Sequence, residues 1–301
     1  MGKSLKEYID EIRSITIDNS LSDDAVIALM NIHLSIMTMI VADMLEDEYG
    51  SVEFHREAIE KLFIICRKRS ASNQTLVRCS RMTPAMYNVF CMPDSVFDYR
   101  KHNSCLNRSF RIADEWYEKT RDSRPFDEIA RITEYGVLQS ILDTFTYVVG
   151  EDKETTRDYL YLRRRIGEWV SEFNDSGCWC GISDYEAIRR INLMIGYSNT
   201  NRDKRFDAQI EKSLCVYFAR ITGNDHIDCQ TLFYLYWALM WGVESPDNAK
   251  IDIITDYAVR MVKSTFAVDR DKRLWYLSVL IDRECVMINS EIKRKMQAYS
   301  A

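Results

Sequence analysis

Apolar and polar positions recur with a helical period along most of the chain, and the blocks of that pattern predict about eleven helices. They lie near residues 3–14, 22–48, 51–69, 104–121, 125–149, 153–174, 183–197, 202–222, 228–242, 246–266 and 270–298, with a short further helix near 84–91. Local chemistry marks several ends. Ser22 is a good N-cap for the second helix, and Gly50 lies just past its end. Pro125 and Pro246 suit first helical positions, with Ser245 as a cap before Pro246. Asp225 is expected to cap the helix start beside His226. Gly150, Gly223 and Gly242 sit where helices should stop. Residues 70–103 break the pattern: periodicity is weak there, and Pro84 and Pro93 interrupt it.

The expected fold is all-α. From residue 125 onward the helix starts are about 20–30 residues apart with short connections, and short connections make neighbouring helices antiparallel. Stacked αα-hairpins follow, as an open superhelix or a closed toroid. Phe126-Asp-Glu-Ile129-Ala-Arg131-Ile132 is echoed by Tyr185-Glu-Ala-Ile188-Arg-Arg190-Ile191, an aromatic–acid–x–Ile–x–Arg–Ile string that is also a common amphipathic helix start. The expected organisation is an acidic helical subregion over 1–69, an irregular basic segment over 70–111 and a hairpin body over 112–301, in one continuous domain.

One stretch is apolar on every side. Ala25 to Ala42 is an uncharged run of 18 residues, near the minimum length for crossing a bilayer. It contains Asn31, His33, Ser35 and Thr38, and its flanks are acidic with no Lys or Arg anchor. That composition predicts a central core helix and no membrane span. The run Phe233-Tyr-Leu-Tyr-Trp237-Ala-Leu-Met-Trp241 likewise predicts a helix buried on most sides.

Composition narrows the class. Only 10 Gly and 4 Pro occur, too few for the turns of an all-β or Rossmann-type fold of this length. Apolar residues at 47% and charged residues at 29% exclude a disordered or collagen-like chain. Nine scattered cysteines, an odd number, and the lack of an apolar leader stretch lead to an expectation of reduced thiols and a cytoplasmic setting.

Charge changes the picture most. The net charge of −6 hides two opposed segments. Residues 1–60 carry 4 Lys and Arg against 13 Asp and Glu, a net of −9. Residues 61–111 carry 10 Lys and Arg against only Asp94 and Asp98, a net of +8. The basic residues include Arg67, Lys68, Arg69, Arg78, Arg81, Arg100, Lys101, Arg108 and Arg111, interleaved with Tyr87, Phe90, Phe97, Tyr99 and Phe110. Three readings compete. The basic segment can cover the acidic helices, where Asp43, Glu46, Asp47 and Glu48 oppose the dipole of the second helix at about 0.3–1 kcal/mol each. It can dock an acidic protein partner, with a salt-sensitive association rate. It can also track RNA or single-stranded nucleic acid, with the aromatics stacking on bases. Taken together, the expectation is a non-catalytic interaction or assembly protein that binds a protein partner or another copy of itself. Nucleic-acid binding through 61–111 is the alternative.

Candidate chemistry is sparse. Asp43 and Asp47 share a helix face at i, i+4, a pair able to hold Mg²⁺ together with substrate phosphates. Class I isoprenoid synthases use aspartate-rich helices in this way. This chain lacks both an adjacent Asp-Asp in that setting and an Asn-Ser-Glu-type second motif, so an Mg²⁺-dependent helical enzyme stands as a further alternative only. Cys178-Trp179-Cys180-Gly181 needs two more ligands for tetrahedral zinc, which Asp225-His226-Ile-Asp228-Cys229 could supply only across the fold. The simpler expectation is a turn formed by Asn174, Asp175 and Gly177, with Trp179 packed inward. His33 is expected as a hydrogen-bonded core histidine. His102 and Cys105 form a conceivable base and nucleophile in a basic neighbourhood. No Gly-rich phosphate loop, Gly-x-Ser-x-Gly or His-Glu-x-x-His string occurs, and no cofactor is implied.

Overall fold

The computed structural model describes residues 4–43, 49, 51–69, 135, 138, 139, 142, 157–173, 175–201, 204–242, 246–264 and 269–300. Among these residues the protein is all-helical, with no strand. The helices are α1 (Leu5–Arg13), α2 (Asp23–Asp43), α3 (Val52–Arg69), α4 (Arg157–Ser171), α5 (Asp184–Asn201), α6 (Asp207–Thr222), α7 (Cys229–Met240), α8 (Asn248–Lys263) and α9 (Arg270–Ser300). A single 3₁₀ turn, Lys204–Phe206, leads into α6. The expected helix near 84–91, the irregular segment 70–103 and nearly all of 104–149 lie outside the described residues. The chain divides into two compact units, Met1–Asp98 with Thr255–Ala301, and Tyr99–Ile254.

Side-chain caps fix most of the helix starts. Ser4 and Glu7 form a reciprocal capping box at α1, each satisfying a backbone N–H of the other. Ser22 Oγ accepts from Ala25 N at 3.0 Å, as its position predicted. Ser51 caps α3 through Phe54 N at 3.2 Å, and Ser183 caps α5 through Glu186 N at 3.1 Å. Two expected caps are displaced. Asp228, not Asp225, caps α7, accepting from Thr231 N and Thr231 Oγ1 at 2.9 Å each. Asp247 caps α8 by accepting from Lys250 N at 3.2 Å, while Ser245, the expected cap, lies outside the described residues. Pro246 therefore precedes the cap instead of opening the helix, and the shorter carboxylate-capped start wins because Asp accepts strongly from N3.

The first unit is organised around α2. Ala25, Val26, Ala28, Leu29, Ile36, Met37 and Ile40 are all sealed from solvent, which is the buried helix that an uncharged 18-residue run predicts. No helix among the described residues is long and apolar enough to cross a membrane. α9 packs along one side of α2, and α3 along another. Ser278 Oγ reaches Ala28 O at 3.4 Å, and Ser35 Oγ donates to Asp282 Oδ1 at 2.7 Å. These contacts advance in the same direction along both helices, so α2 and α9 run parallel despite their distance in sequence. α1 is tied to α9 by Arg273, whose Nε and Nη2 donate to Glu11 Oε1 at 2.9 and 2.8 Å.

Among the described residues of the second unit, α4 to α7 run alternately antiparallel. Tyr159 OH meets Asn201 Oδ1 at 2.9 Å at one end of the α4–α5 pair, and Arg190 meets Glu172 at the other. In the α5–α6 pair, Ser198 Oγ donates to Asp207 Oδ1 at 2.6 Å near the connection, and Arg220 pairs with Asp184 at the far end. α7 lies parallel to α5. Asn192 Nδ2 donates to Tyr234 O at 2.8 Å, and Asn199 Nδ2 donates to Trp241 O at 3.0 Å. Across the aromatic run, Phe233, Tyr234, Leu235, Tyr236, Ala238, Leu239 and Met240 are buried, while Trp241 at the C-terminal end is exposed.

Candidate functional site

The second unit holds a compact cluster of charge and aromatic rings on the first half of α5. Glu186, Arg189 and Arg190 fall on adjoining faces of that helix, because residues three and four apart lie one above the other. The Cys178-Trp179-Cys180 turn supplies one wall. Gly177 (φ +83°) and Gly181 (φ +75°) bracket it in left-handed backbone that side chains with a Cβ disfavour. Between them Trp179 is buried, its indole Nε1 donating to Trp169 O at 2.9 Å and its backbone N–H to Tyr217 OH at 3.2 Å. Phe173 packs against it at 4.2 Å between ring centroids. The inward turn expected from the sequence is therefore present. Ser213 Oγ pins it from α6 by donating to Gly177 O at 2.7 Å.

Arg190 lies over the Trp169 and Trp179 rings, 5.3 and 5.4 Å from their centroids. Its Nη1 donates to Glu172 Oε2 at 2.9 Å and its Nη2 to Glu186 Oε1 at 3.0 Å. Burial opposes the Arg190 charge, but Tyr135, Glu186 and Glu172 together hold the guanidinium protonated. Tyr135 donates its hydroxyl to Glu186 O at 3.2 Å. Burial chiefly, aided by the Glu186 charge, pushes the Tyr135 phenol far above its ordinary range, so it stays neutral.

Arg189 is different. It is 7% exposed, and its guanidinium carbon lies 4.4 Å from the Tyr234 ring centroid and 5.5 Å from that of Tyr135. Tyr185 closes on Tyr234 edge-on at 5.8 Å. The echo string noted in the sequence, Tyr185 to Ile191, therefore builds much of this cluster.

The first unit holds the second notable group. His33 on α2 and His55 on α3 are both sealed from solvent, with their Nδ1 atoms 2.9 Å apart. Burial, with His55 as a like neighbour, lowers the His33 pKa to about 3. Burial likewise lowers that of His55 to about 4, partly opposed by the Tyr49 backbone and assisted by Arg13. His33 is thus the hydrogen-bonded core histidine that its apolar setting suggested.

The basic residues read from the sequence are only partly placed. Arg67, Lys68 and Arg69 form the C-terminal turn of α3, where positive charge suits the helix dipole. Arg78, Arg81, Arg100, Lys101, Arg108 and Arg111 lie outside the described residues, as do Asp47, His102 and Cys105. Asp43 is the last residue of α2. Cys178 is partly exposed and Cys180 exposed, and no group of three or more His, Cys, Asp or Glu placed to hold a metal ion occurs among the described residues. The Arg189 and Arg190 cluster was not singled out from the sequence. Its signal was the adjacent arginine pair one turn after Tyr185-Glu186, beside the Tyr and Trp residues of the neighbouring segments.

No protein-family model, curated protein or solved structure matches this chain.

Proposed function

We propose that the chain is a non-catalytic helical interaction or assembly protein of the cytoplasm, engaging a protein partner or a second copy of itself through charged surfaces. The observation that carries this reading is the placement of Arg67, Lys68 and Arg69 as the closing turn of α3, at the junction of the −9 and +8 segments. Consecutive helical positions are about 100° apart, so the three span more than half the circumference. Three adjacent positive charges leading into a net-basic segment favour an acidic counterpart. The antiparallel run of α4, α5 and α6 supports stacked αα-hairpins in a superhelix or toroid, an architecture that offers broad surfaces for such contacts.

Sedimentation at low and high salt tests the reading. The wild type is expected to form a complex, with itself or with a copurified protein, that dissociates as salt rises. The variant Arg67→Ala/Lys68→Ala/Arg69→Ala is expected to stay folded and lose it. A salt-independent monomer with no copurifying protein defeats the reading. Tight, steeply salt-dependent binding of single-stranded RNA replaces it with nucleic-acid recognition through residues 61–111.

A further inference from the structure

Arg189 presents an imbalance that the rest of the cluster does not share. A guanidinium carries five N–H donors in one plane and no acceptor. Arg190, its neighbour, spends its donors on two carboxylates. Arg189 is nine-tenths buried, yet among the described residues none of its nitrogens meets an oxygen acceptor and no carboxylate pairs with it. The Tyr234 and Tyr135 rings stabilise its charge through their π-faces, but they leave the in-plane donors unused. Charges on side chains this buried are ordinarily paired. Glu186, one turn away on α5, is turned to Arg190 and does not fill the role. Arg190 Nε is among the sealed, unpartnered atoms of the structure, whereas no Arg189 nitrogen is, so the Arg189 fork keeps a route to solvent.

We infer that Arg189 is a binding site for an oxyanion, a carboxylate or a phosphate group, taken by the edge of its guanidinium between the rings of Tyr135 and Tyr234. The chemistry fits on three counts. Arginine recognises these two groups bidentately because its parallel N–H bonds match their oxygen spacing. The ring contacts fix the guanidinium before the ligand arrives, which lowers the ordering cost of binding. Among the described residues, the neighbouring carboxylates Glu172 and Glu186 are engaged by Arg190, so they do not compete for the Arg189 edge. This site stands independently of the charged-surface reading, since it is buried in the second unit and uses none of residues 61–111.

The test is a titration of the ¹⁵N-labelled full chain with inorganic phosphate and, separately, with acetate, at ionic strength held constant with sodium chloride. The Arg189 Nε–H resonance, identified by its loss in Arg189→Lys, is expected to shift saturably together with ring protons of Tyr135 and Tyr234. A folded Arg189→Lys variant is expected to bind the same anion about tenfold more weakly or worse, the loss of a charge-assisted bidentate contact. Tighter binding of phosphate assigns the site to a phosphorylated ligand, and tighter binding of acetate to a carboxylate. No saturable shift with either anion overturns the inference, as does a shift confined to residues away from Tyr135 and Tyr234. Unchanged affinity in the folded variant overturns it too. Should Arg189→Lys not fold, the wild-type titration decides by itself, with the tyrosine ring protons as the reporter.

Discussion

The imidazoles of His33 and His55 face each other Nδ1 to Nδ1 across the α2–α3 contact, 2.9 Å apart and closed off from water. Two ring nitrogens can share one hydrogen bond only if one carries the proton and the other a lone pair, so the two rings hold opposite tautomers. Protonating the acceptor Nδ1 removes the lone pair that the bond needs, and protonating both rings places two cations side by side in an apolar site. The pair is therefore a neutral structural bond, and protonation acts against it.

The first prediction concerns pH. The folded pKa values, about 3 and about 4, lie below the unfolded value of 6.5. Between these limits the unfolded chain binds more protons, so the contribution of the pair is complete above pH 6.5 and is lost as pH falls through 4 towards 3. Urea unfolding of the wild type should show stability dropping over this window by on the order of a few kcal/mol more than in the double variant His33→Leu/His55→Leu. Parallel pH profiles for the two proteins sink the assignment.

The same pair predicts non-additive mutations. His55→Leu alone leaves Nδ1 of a buried His33 without its partner and should cost about 1–3 kcal/mol, while replacing both residues should cost less than the sum of the single changes. A double-mutant cycle with no coupling means that the contact is not a hydrogen bond in solution.

In the second unit, Arg190→Ala strands Glu186, whose side chain is 11% exposed, without its guanidinium. Removing one partner of a buried pair leaves an uncompensated charge, and a loss of about 3 kcal/mol is expected in the urea midpoint analysis. Arg13→Ala removes an exposed pairing with Asp10 and should change stability by less than about 1 kcal/mol through that pair. Similar losses for the two variants contradict the placement of Arg190.

Gly177 tests the wall built by the Cys178–Cys180 turn. Its φ of +83° is left-handed, and an added Cβ comes within 3.1 Å of the Lys212 side chain. Gly177→Ala should destabilise by about 1–2 kcal/mol, chiefly through the backbone. A drop in Trp179 fluorescence anisotropy or a red shift of its emission should accompany the change, since the turn seats that ring.

Helix capping offers a local check. Asp228→Ala should cost about 0.5–2 kcal/mol, because it removes the acceptor for the Thr231 backbone N–H and hydroxyl at the start of α7. Asp225→Ala should cost markedly less. Thermal unfolding with the order of these two reversed restores Asp225 as the cap.

Much of this molecule was set by short-range sequence. The 3.6-residue period, the 18-residue uncharged run and Ser22 each express forces acting within a few turns of chain, and the helices, the buried α2 and its cap follow from them. The capping box at α1 is equally local, since it spans only Ser4 to Glu7. The caps at Asp228 and Asp247 were harder to read because several Asp and Ser residues competed within three positions. What α2 packs against was decided only by tertiary structure. An apolar face records that burial occurs without recording the partner, so nothing local joins α2 to α9 or His33 to His55. Arg189 and Arg190 make the same point. They are neighbours in sequence with one charge each, and folding alone gave one of them two carboxylates and the other two tyrosine rings.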